Sequence, residues 1–355
     1  MKNSGNPDVA GRELVRQAFR RQKTARIPWV PFVGCHGGKL IGATAENYLK
    51  SGHKIAAGLK KAAELYRPDG LPVMFDIQVE AEVLGCDLLW SEDAPPSVVS
   101  HPLDALSGKT ISSLPEFSTT RGRYPEIARA MEIFRQDFGR DLALYGLICG
   151  PLSLALHLLG NEIFLEMYDN PDRIVELLDY CSGIARQSVD FYLQNGADVI
   201  AVVDPITSQI SAEHFRQFVT PALNPIFEHI RNNGKLSLLH VCGNIERNLE
   251  CMCEATWDNL SVDDRVSLPG LKDLAQKYNK SFSGNFNLTV ALLMGNPDDC
   301  RREAIRNLDE GGDTGFILSP GCDIPFHVPS ENLQAVAEIV YDDNQREVVR
   351  KQMIG

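Results

Sequence analysis

One histidine and two cysteines have the types and the spacing of a metal-binding group. His240 and Cys242 fall at the end of a predicted strand, 236–241, where residues i and i+2 point to the same side. Imidazole and thiolate together suit zinc, and a catalytic zinc takes three protein ligands while one position stays open. Cys322, which follows the last predicted strand, is the expected third ligand.

A simpler interpretation of the same residues stays open. A free cysteine is usually a small buried apolar residue, so His240 and Cys242 could be core residues that happen to be close together. A second closely spaced pair, Cys251 and Cys253, falls in a helical pattern. Side chains at i and i+2 of a helix do not face one another, so this pair is predicted to pack rather than to bind a metal.

Three carboxylates also follow predicted strands. Asp76, Asp204 and Asp263 are the candidate catalytic acids. Each of them could instead cap a helix or order a turn, which is the commoner role of an aspartate at the start of a loop. The candidate substrate-binding residues are Asn285, at another strand end, and His36, on a loop flanked by glycines. His36 could also simply be exposed.

Eight short apolar runs provide the strands that would position these side chains. Each run is followed by a helical pattern, which indicates parallel βα units, and eight such units predict a (β/α)8 TIM barrel, an α/β fold. A doubly wound open sheet is the alternative, but the G-x-G-x-x-G loop that usually follows its first strand is missing. The predicted strands are 27–33, 73–77, 142–148, 198–203, 236–241, 259–262, 282–286 and 315–319.

The remaining segments fit one domain with an added helix. Residues 1–26 are predicted as an N-terminal helical extension, with a helix over 8–22, and residues 27–355 as the barrel. Residues 86–101 are short and rich in proline, so an excursion with a hairpin is expected there. The chemistry of a barrel lies at the carboxyl ends of its strands, which is where the candidate site residues fall.

Composition and charge exclude several classes of protein. The 355 residues carry 35 Lys and Arg against 47 Asp and Glu, a net charge of −12, whereas nucleic-acid-binding proteins show a basic surface. The hydrophobic fraction of 44% excludes a disordered chain. Residues 142–160 lack charge but contain glycine and proline, which predicts a strand, a turn and a helix rather than a membrane span. Without a secretory signal pattern, the nine cysteines are expected to be reduced and the protein cytoplasmic.

Four segments make the sequence recognisable: FDIQVEAEVLGCD at 75–87, GPLSLALHLLG at 150–160, LLHVCGN at 238–244 and SPGCDIPFHVPSENLQAV at 319–336. In these segments the chain resembles the uroporphyrinogen decarboxylase superfamily, and specifically its zinc-dependent, corrinoid-linked methyltransferase branch. The resemblance implies that His240, Cys242 and Cys322 bind zinc and that a partner protein carries the corrinoid.

The sequence departs from the decarboxylases at the loop after the first predicted strand. Those enzymes hold the carboxylates of their substrate there with arginines, whereas VGCHGGKLIG at 33–42 contains none. Asp76 stands where the decarboxylases have a key aspartate. Even so, decarboxylation of uroporphyrinogen is not expected, because the sequence offers no evident clamp for a substrate with many carboxylates.

Two methyltransferase roles remain. The favoured role takes a methyl group from a small methylated substrate, an aryl methyl ether, and gives it to the cobalt of the partner corrinoid protein, as in an O-demethylase system. The alternative transfers a methyl group from the corrinoid to a thiol such as coenzyme M. A zinc protein without turnover is a third hypothesis. A barrel mouth open to the corrinoid protein is expected, and a homodimer is a further candidate assembly.

Overall fold

The computed structural model describes residues 9–104 and 108–354. The strands within these residues are β1 (Gly70–Pro72), β2 (Leu88–Leu89), β3 (Ser97–Val98), β4 (Ala143–Cys149), β5 (Val199–Val203), β6 (Leu236–Val241), β7 (Asn259–Val262), β8 (Ser281–Phe286) and β9 (Phe316–Pro320). The α-helices are α1 (Gly11–Phe19), α2 (His36–Leu40), α3 (Ala45–Leu49), α4 (Gly52–Tyr66), α5 (Val79–Val83), α6 (Tyr124–Phe138), α7 (Pro151–Leu159), α8 (Ile163–Asp169), α9 (Pro171–Gln194), α10 (Ala212–His214), α11 (Thr220–Asn232), α12 (Leu249–Cys253), α13 (Leu268–Lys277), α14 (Pro297–Gly311), α15 (Ser330–Tyr341) and α16 (Asp343–Ile354). Shorter helical turns are Ile111–Ser113, Pro205–Gln209, Phe215–Val219, Glu246–Asn248 and Leu288–Leu293.

Seven parallel strands curl into the wall of a barrel. Their order is β1-β4-β5-β6-β7-β8-β9, while β2 and β3 form a separate antiparallel hairpin. The register aligns Val203, His240 and Ser261 across three neighbouring strands. Helices alternate with the strands around the sheet, which confirms the predicted α/β barrel class.

The eighth position of the wall is filled by an extended segment rather than by a regular strand. Trp29 forms an isolated parallel bridge with Leu318 of β9. On its other side, the Trp29 carbonyl accepts a hydrogen bond from the Asp69 N–H, directly before β1. The predicted continuous strand over 27–33 is therefore wrong, because both of its prolines lack the N–H that a strand ladder needs.

The second predicted strand is displaced along the chain. The prediction was 73–77, but β1 ends at Pro72, so Asp76 lies in the turn before α5 rather than in a strand. The remaining six predicted strands agree with the structure to within one residue at each end. The hairpin expected within 86–101 is confirmed as β2 and β3.

Helix α1 closes the end of the barrel at which the strands begin, which we call the floor. Its apolar face packs into the cluster that fills the barrel, with side chains of β4, β5, β6 and β9. The helix is shorter than the predicted 8–22, and residue 8 lies outside the described residues, as do residues 1–7. The division into an extension at 1–26 and a barrel at 27–355 stays a prediction. The buried residues of α1 are Leu14, Val15, Ala18 and Phe19.

An ion-pair network fastens α1 to the floor. Arg12 donates from Nε to Asp198 Oδ1 at 2.8 Å, and Asp198 directly precedes β5. Arg135 of α6 donates from Nη2 to the other carboxylate oxygen at 2.7 Å. The same oxygen also accepts the Leu144 N–H at 3.0 Å. Each oxygen of this buried carboxylate is therefore satisfied by the protein itself.

Across residues 9–104 and 108–354, no helix combines the length and the apolar character needed to cross a membrane. The charge-free stretch 142–160 forms β4, a turn and α7, as predicted. All nine cysteines are free thiols. Cys251 and Cys253 are buried in α12, which agrees with their predicted packing role.

Candidate metal centre at the barrel mouth

Three side chains meet at the carboxyl ends of β6 and β9, in the region we call the mouth of the barrel. His240 lies in β6 with Cys242 just beyond it, and His240 Nε2 lies 3.1 Å from Cys242 Sγ. Cys322 follows β9, and its Sγ lies 2.8 Å from that of Cys242. The three ligand atoms all lie within 4.8 Å of one another. The structure therefore brings the three predicted metal ligands together.

Neighbouring side chains fix the orientation of the histidine ring. Ser261 Oγ lies 3.0 Å from His240 Nδ1, so the ring presents Nε2 to the cysteines. The rings of Phe32 and Phe75 approach the imidazole edge-on, with centroids 5.4 and 5.8 Å away. A hydrogen bond to the second ring nitrogen commonly orients a metal-binding histidine, so His240 is preset to bind through Nε2.

The two thiols of the group differ in acidity. Hydrogen bonds from Cys242 and His240 hold the pKa of the Cys322 thiol well below its ordinary value. The same contact, together with burial, raises the pKa of the Cys242 thiol. Thiolate is the form of cysteine that binds metals. One nitrogen and two sulfur ligands fit a zinc ion whose fourth position takes a substrate.

Asp263 and Asn285 support the loop that carries Cys242. Asp263 Oδ2 accepts the N–H of Gly243 at 2.9 Å, and Gly243 has a φ of +93°, which favours glycine. Asn285 donates from Nδ2 to the carbonyls of Asp263 and Val266, at 3.3 and 2.6 Å. Its Oδ1 is buried, with no hydrogen-bond partner among the described residues. Both predicted residues therefore lie at the rim of the metal-binding group.

Asp76 lies beside the metal-binding group and is paired with an arginine. It follows Phe75, one of the two rings that contact the metal-binding histidine. Its Oδ2 accepts from Arg123 Nη1 at 2.5 Å, and its Oδ1 accepts the Gln78 N–H at 2.8 Å. Arg123 also donates from Nε to Glu82 at 2.7 Å. The carboxylate is thus held at a fixed angle at the mouth.

Asp204 has the contacts of a helix cap. Its Oδ2 accepts the N–H of Leu152, and its Oδ1 accepts both the N–H and the hydroxyl of Ser153. These groups lie in the first turn of α7, so a residue that follows β5 satisfies the start of the neighbouring helix. Burial raises the pKa of Asp204 to about 6. The contacts support the capping role that the sequence left open, and a catalytic role stays a prediction.

His36 is bound to residues outside the metal-binding group. Its Nε2 lies 2.7 Å from the Tyr66 hydroxyl, and its Nδ1 lies 3.2 Å from the carbonyl of Phe326. The side chain is fully buried, so the alternative that it is exposed is wrong. Burial lowers the pKa of His36 to about 4, which keeps the ring neutral. Because both ring nitrogens are engaged, its predicted contact with substrate gains no support.

Sequence reasoning missed three polar residues of the mouth. Arg123, His157 and Asp323 each carry a buried polar atom without a hydrogen-bond partner among the described residues. Asp323 directly follows Cys322, and His157 lies in the segment 150–160, so their places were visible in the sequence. Arg123 gave no signal, because it lies in a long connection rather than after a barrel strand.

A sequence model described as Uroporphyrinogen decarboxylase (URO-D) matches residues 10–342, which is nearly the whole chain. The chain belongs to the uroporphyrinogen decarboxylase family. It is similar to the methylcobamide:CoM methyltransferase MtbA of Methanosarcina acetivorans, with 30% identity over 92% of this chain and 96% of that protein. A methylated-thiol–coenzyme M methyltransferase of Methanosarcina mazei is 26% identical over 74% of this chain and 69% of its own length.

Solved structures confirm the fold of this uroporphyrinogen decarboxylase family member. A methyltransferase from Methanosarcina mazei superimposes with a TM-score of 0.84 and 24% identity, covering 98% of this chain and 100% of that chain. The prediction of a methyltransferase from the corrinoid-linked branch of the family is confirmed at this level. The methyl donor and acceptor are a finer question.

Proposed function

We propose that the protein transfers a methyl group from a corrinoid carried by a partner protein to a small thiol, with zinc at the predicted ligands. One observation carries the proposal: a histidine nitrogen and two cysteine sulfurs lie within 4.8 Å of one another at the barrel mouth. The relatives named methylcobamide:CoM and methylated-thiol–coenzyme M methyltransferase support a thiol as the acceptor.

The protein's own contribution is to position the reacting groups. His240, Cys242 and Cys322 would hold a zinc ion that supplies Lewis acidity and lowers the pKa of a bound thiol. Ser261 sets the angle of the histidine ring, and Asp263 sets the turn after the first cysteine ligand. The two phenylalanine rings cover the imidazole with apolar surface and keep water away from it.

The reaction needs a thiolate sulfur aligned with the methyl carbon. A sulfur lone pair forms the new carbon–sulfur bond, the cobalt–carbon bond breaks, and its electron pair stays on the cobalt of the partner. The thiol proton leaves before the transfer. Of the three candidate catalytic carboxylates, Asp76 and Asp263 adjoin the metal-binding group, whereas Asp204 caps a helix. We therefore keep Asp76 and Asp263 as the candidates that act on the substrate.

The relatives change the preferred direction of transfer. The sequence favoured an aryl methyl ether as the methyl donor, but both relatives are named for coenzyme M, which is a thiol. The O-demethylase role therefore becomes the alternative to be tested in parallel. A partner corrinoid protein that docks at the mouth, a homodimer and a cytoplasmic location stay predictions.

A turnover assay separates the two directions. The purified protein is mixed with a methyl-Co(III) corrinoid protein and a small thiol, and the absorbance of the Co(I) product is followed. In a second arm, the Co(I) corrinoid protein is mixed with an aryl methyl ether. We expect Co(I) to form in the first arm and no methyl-Co(III) to form in the second.

The Cys242→Ala variant should be inactive in the thiol assay, and Cys251→Ala, which removes a buried thiol elsewhere, should match the parent protein. Turnover only with the ether would overturn the thiol proposal. Turnover in neither arm, with zinc bound, would favour a protein that binds zinc without catalysis.

A further inference from the structure

We infer that the free edge of the Arg123 guanidinium binds the oxygen-bearing, negatively charged head group of the thiol substrate. The inference rests on the proposed function and deepens it, because it names a specificity residue and a substrate class. The substrate would be a small mercapto acid, with a sulfonate or carboxylate a few bonds away from the sulfur.

The first observation is a buried donor that the protein leaves unused. Arg123 is 4% exposed, and two of its three nitrogens are engaged by Asp76 and Glu82. Its Nη2 is buried, with no hydrogen-bond partner among the described residues. An unsatisfied buried donor costs about 1–3 kcal/mol. A ligand that supplies the missing acceptor recovers that cost.

The second observation is the place of the guanidinium. Its partner Asp76 follows Phe75, whose ring centroid lies 5.8 Å from that of His240. The Arg123 guanidinium also lies over the ring of Trp90, 4.9 Å from its centroid. A substrate whose sulfur binds beside His240 therefore has an unused N–H donor within the same part of the mouth.

Two further unpartnered atoms border the same carboxylate. Nδ1 of His157 and Oδ1 of Asp323 are both buried without a partner among the described residues. The charge of Asp76 acts on both side chains, which places them in its neighbourhood. Unused polar atoms thus collect on the side of the mouth where Arg123 lies.

The local charges allow an anion at this place. Asp76 and Arg123 are both buried and form a neutral pair, while the side chain of Glu82 is 28% exposed and is partly screened by water. A charged oxygen forms a stronger hydrogen bond with a guanidinium than a neutral oxygen does. Hydrogen bonds that involve charged groups contribute about 1.5–3 kcal/mol, against about 1 kcal/mol for neutral ones.

A matched series of thiols tests the inference in the parent protein. The series is 2-mercaptoethanesulfonate, 3-mercaptopropionate and 2-mercaptoethanol, which differ mainly in the head group. We expect KM for the two anionic thiols to be about 10-fold lower than for the neutral one, with kcat changed much less. Equal KM values across the series would overturn the inference and leave the proposed thiol methylation standing.

Variants assign the selectivity to the arginine. Arg123→Lys keeps the positive charge beside Asp76 but removes the planar fork, and should reduce the 10-fold preference to about 2-fold or less. Arg135→Lys, at the floor, is the matched control and should leave the preference unchanged. Zinc content and melting temperature show that each variant is folded. A preference that survives in folded Arg123→Lys would contradict the inference.

A binding measurement keeps the inference testable if no thiol is methylated. Calorimetry with ethanesulfonate, which carries the head group but no thiol, reports the subsite without any turnover. We expect the parent protein to bind it more tightly than Arg123→Lys does, while ethanol shows no difference between the two proteins. Equal affinity of ethanesulfonate for both proteins would overturn the inference, whether or not the protein methylates thiols.

Discussion

Two buried carboxylates, Asp198 at the floor and Asp76 at the mouth, are both paired with arginine, but their surroundings differ. Both Asp198 oxygens are bonded, and its partner Arg135 also donates to the carbonyls of Gly196, Gly139 and Leu142. Asp76 is also bonded, but its partner Arg123 keeps one nitrogen unused. The floor completes its own hydrogen bonds, whereas the mouth leaves some of them to a ligand.

This difference follows from the two ends of a parallel barrel. Polar residues at the ends where strands begin mainly serve stability, and those at the carboxyl ends serve chemistry. Changes at the mouth should therefore reduce function more than stability, and changes at the floor should do the reverse. The following experiments test that contrast, beginning with the largest effect.

Removal of a metal ligand should have the largest effect. We expect His240→Ala and Cys242→Ala to lose most of the bound zinc and all measurable methyl transfer, because three protein ligands hold a catalytic ion. Elemental analysis should give about one zinc per parent chain and far less in the variants. Retention of full zinc in both variants would show that the ligands are assigned wrongly.

Asp76→Asn should reduce methyl transfer by about 10²-fold, the scale on which loss of a positioned acid or base acts. The amide still accepts a hydrogen bond but no longer offers a charge to Arg123, so the guanidinium loses its fixed angle. Initial rates with saturating thiol measure the effect, and zinc content should stay unchanged. Near-normal turnover, or a collapse of the melting temperature, would leave Asp76 only a structural role.

Asp198→Asn is the counterpart at the floor. It leaves Arg12 and Arg135 without their shared anion, and the free energy of unfolding should fall by about 3 kcal/mol, the scale for breaking a buried pair. Urea unfolding measures the loss. Zinc content and KM for the thiol should match those of the parent protein, and a changed KM would show that the two ends are coupled.

Glu80 predicts a dependence of stability on pH. Burial raises its pKa to about 7 from an ordinary value of 4.5, so the folded protein keeps a proton that the unfolded chain releases. Stability is complete below about pH 4.5 and falls as pH rises to about 7, by about 3 kcal/mol at 1.36 kcal/mol per pKa unit. Glu80→Gln should remove this loss, so that unfolding at pH 8 needs more urea than in the parent protein. Glu64→Gln, at an exposed position, should not.

The smallest effect is expected for the second cysteine pair. A double replacement of Cys251 and Cys253 by Ala removes two buried sulfurs from α12 and should cost about 1–2 kcal/mol of stability. Zinc content should stay at the parent level. Loss of zinc from the folded double variant would contradict the assignment of both residues as packing residues.

The two cysteine patterns show how far the sequence alone could predict this molecule. His240-x-Cys242 and Cys251-x-Cys253 have the same spacing, and the period of the surrounding apolar residues separated a strand end from a helix. The barrel class and the three-ligand group followed from such local patterns. They needed only strand direction and chain order.

Other features depend on contacts between distant segments, and the sequence did not reveal them. The pairing of Arg123 with Asp76 joins residues 47 positions apart, and no local period marks such a pair. Asp204 showed only that it follows a strand, while its partners lie in the turn after another strand. The seam at Trp29 was hidden for a related reason, because prolines remove the regular ladder that a strand pattern assumes.

The seam at Trp29 also sets an order of events during synthesis. Trp29 pairs with Leu318, about 290 residues later, and ribosomes add about 5–20 residues per second, so this edge waits about 15–60 s for its partner. Cys322 leaves the ribosome only four residues after Leu318. The barrel therefore closes and its three metal ligands first meet within the same moment, so zinc loading comes after nearly the whole chain has been made.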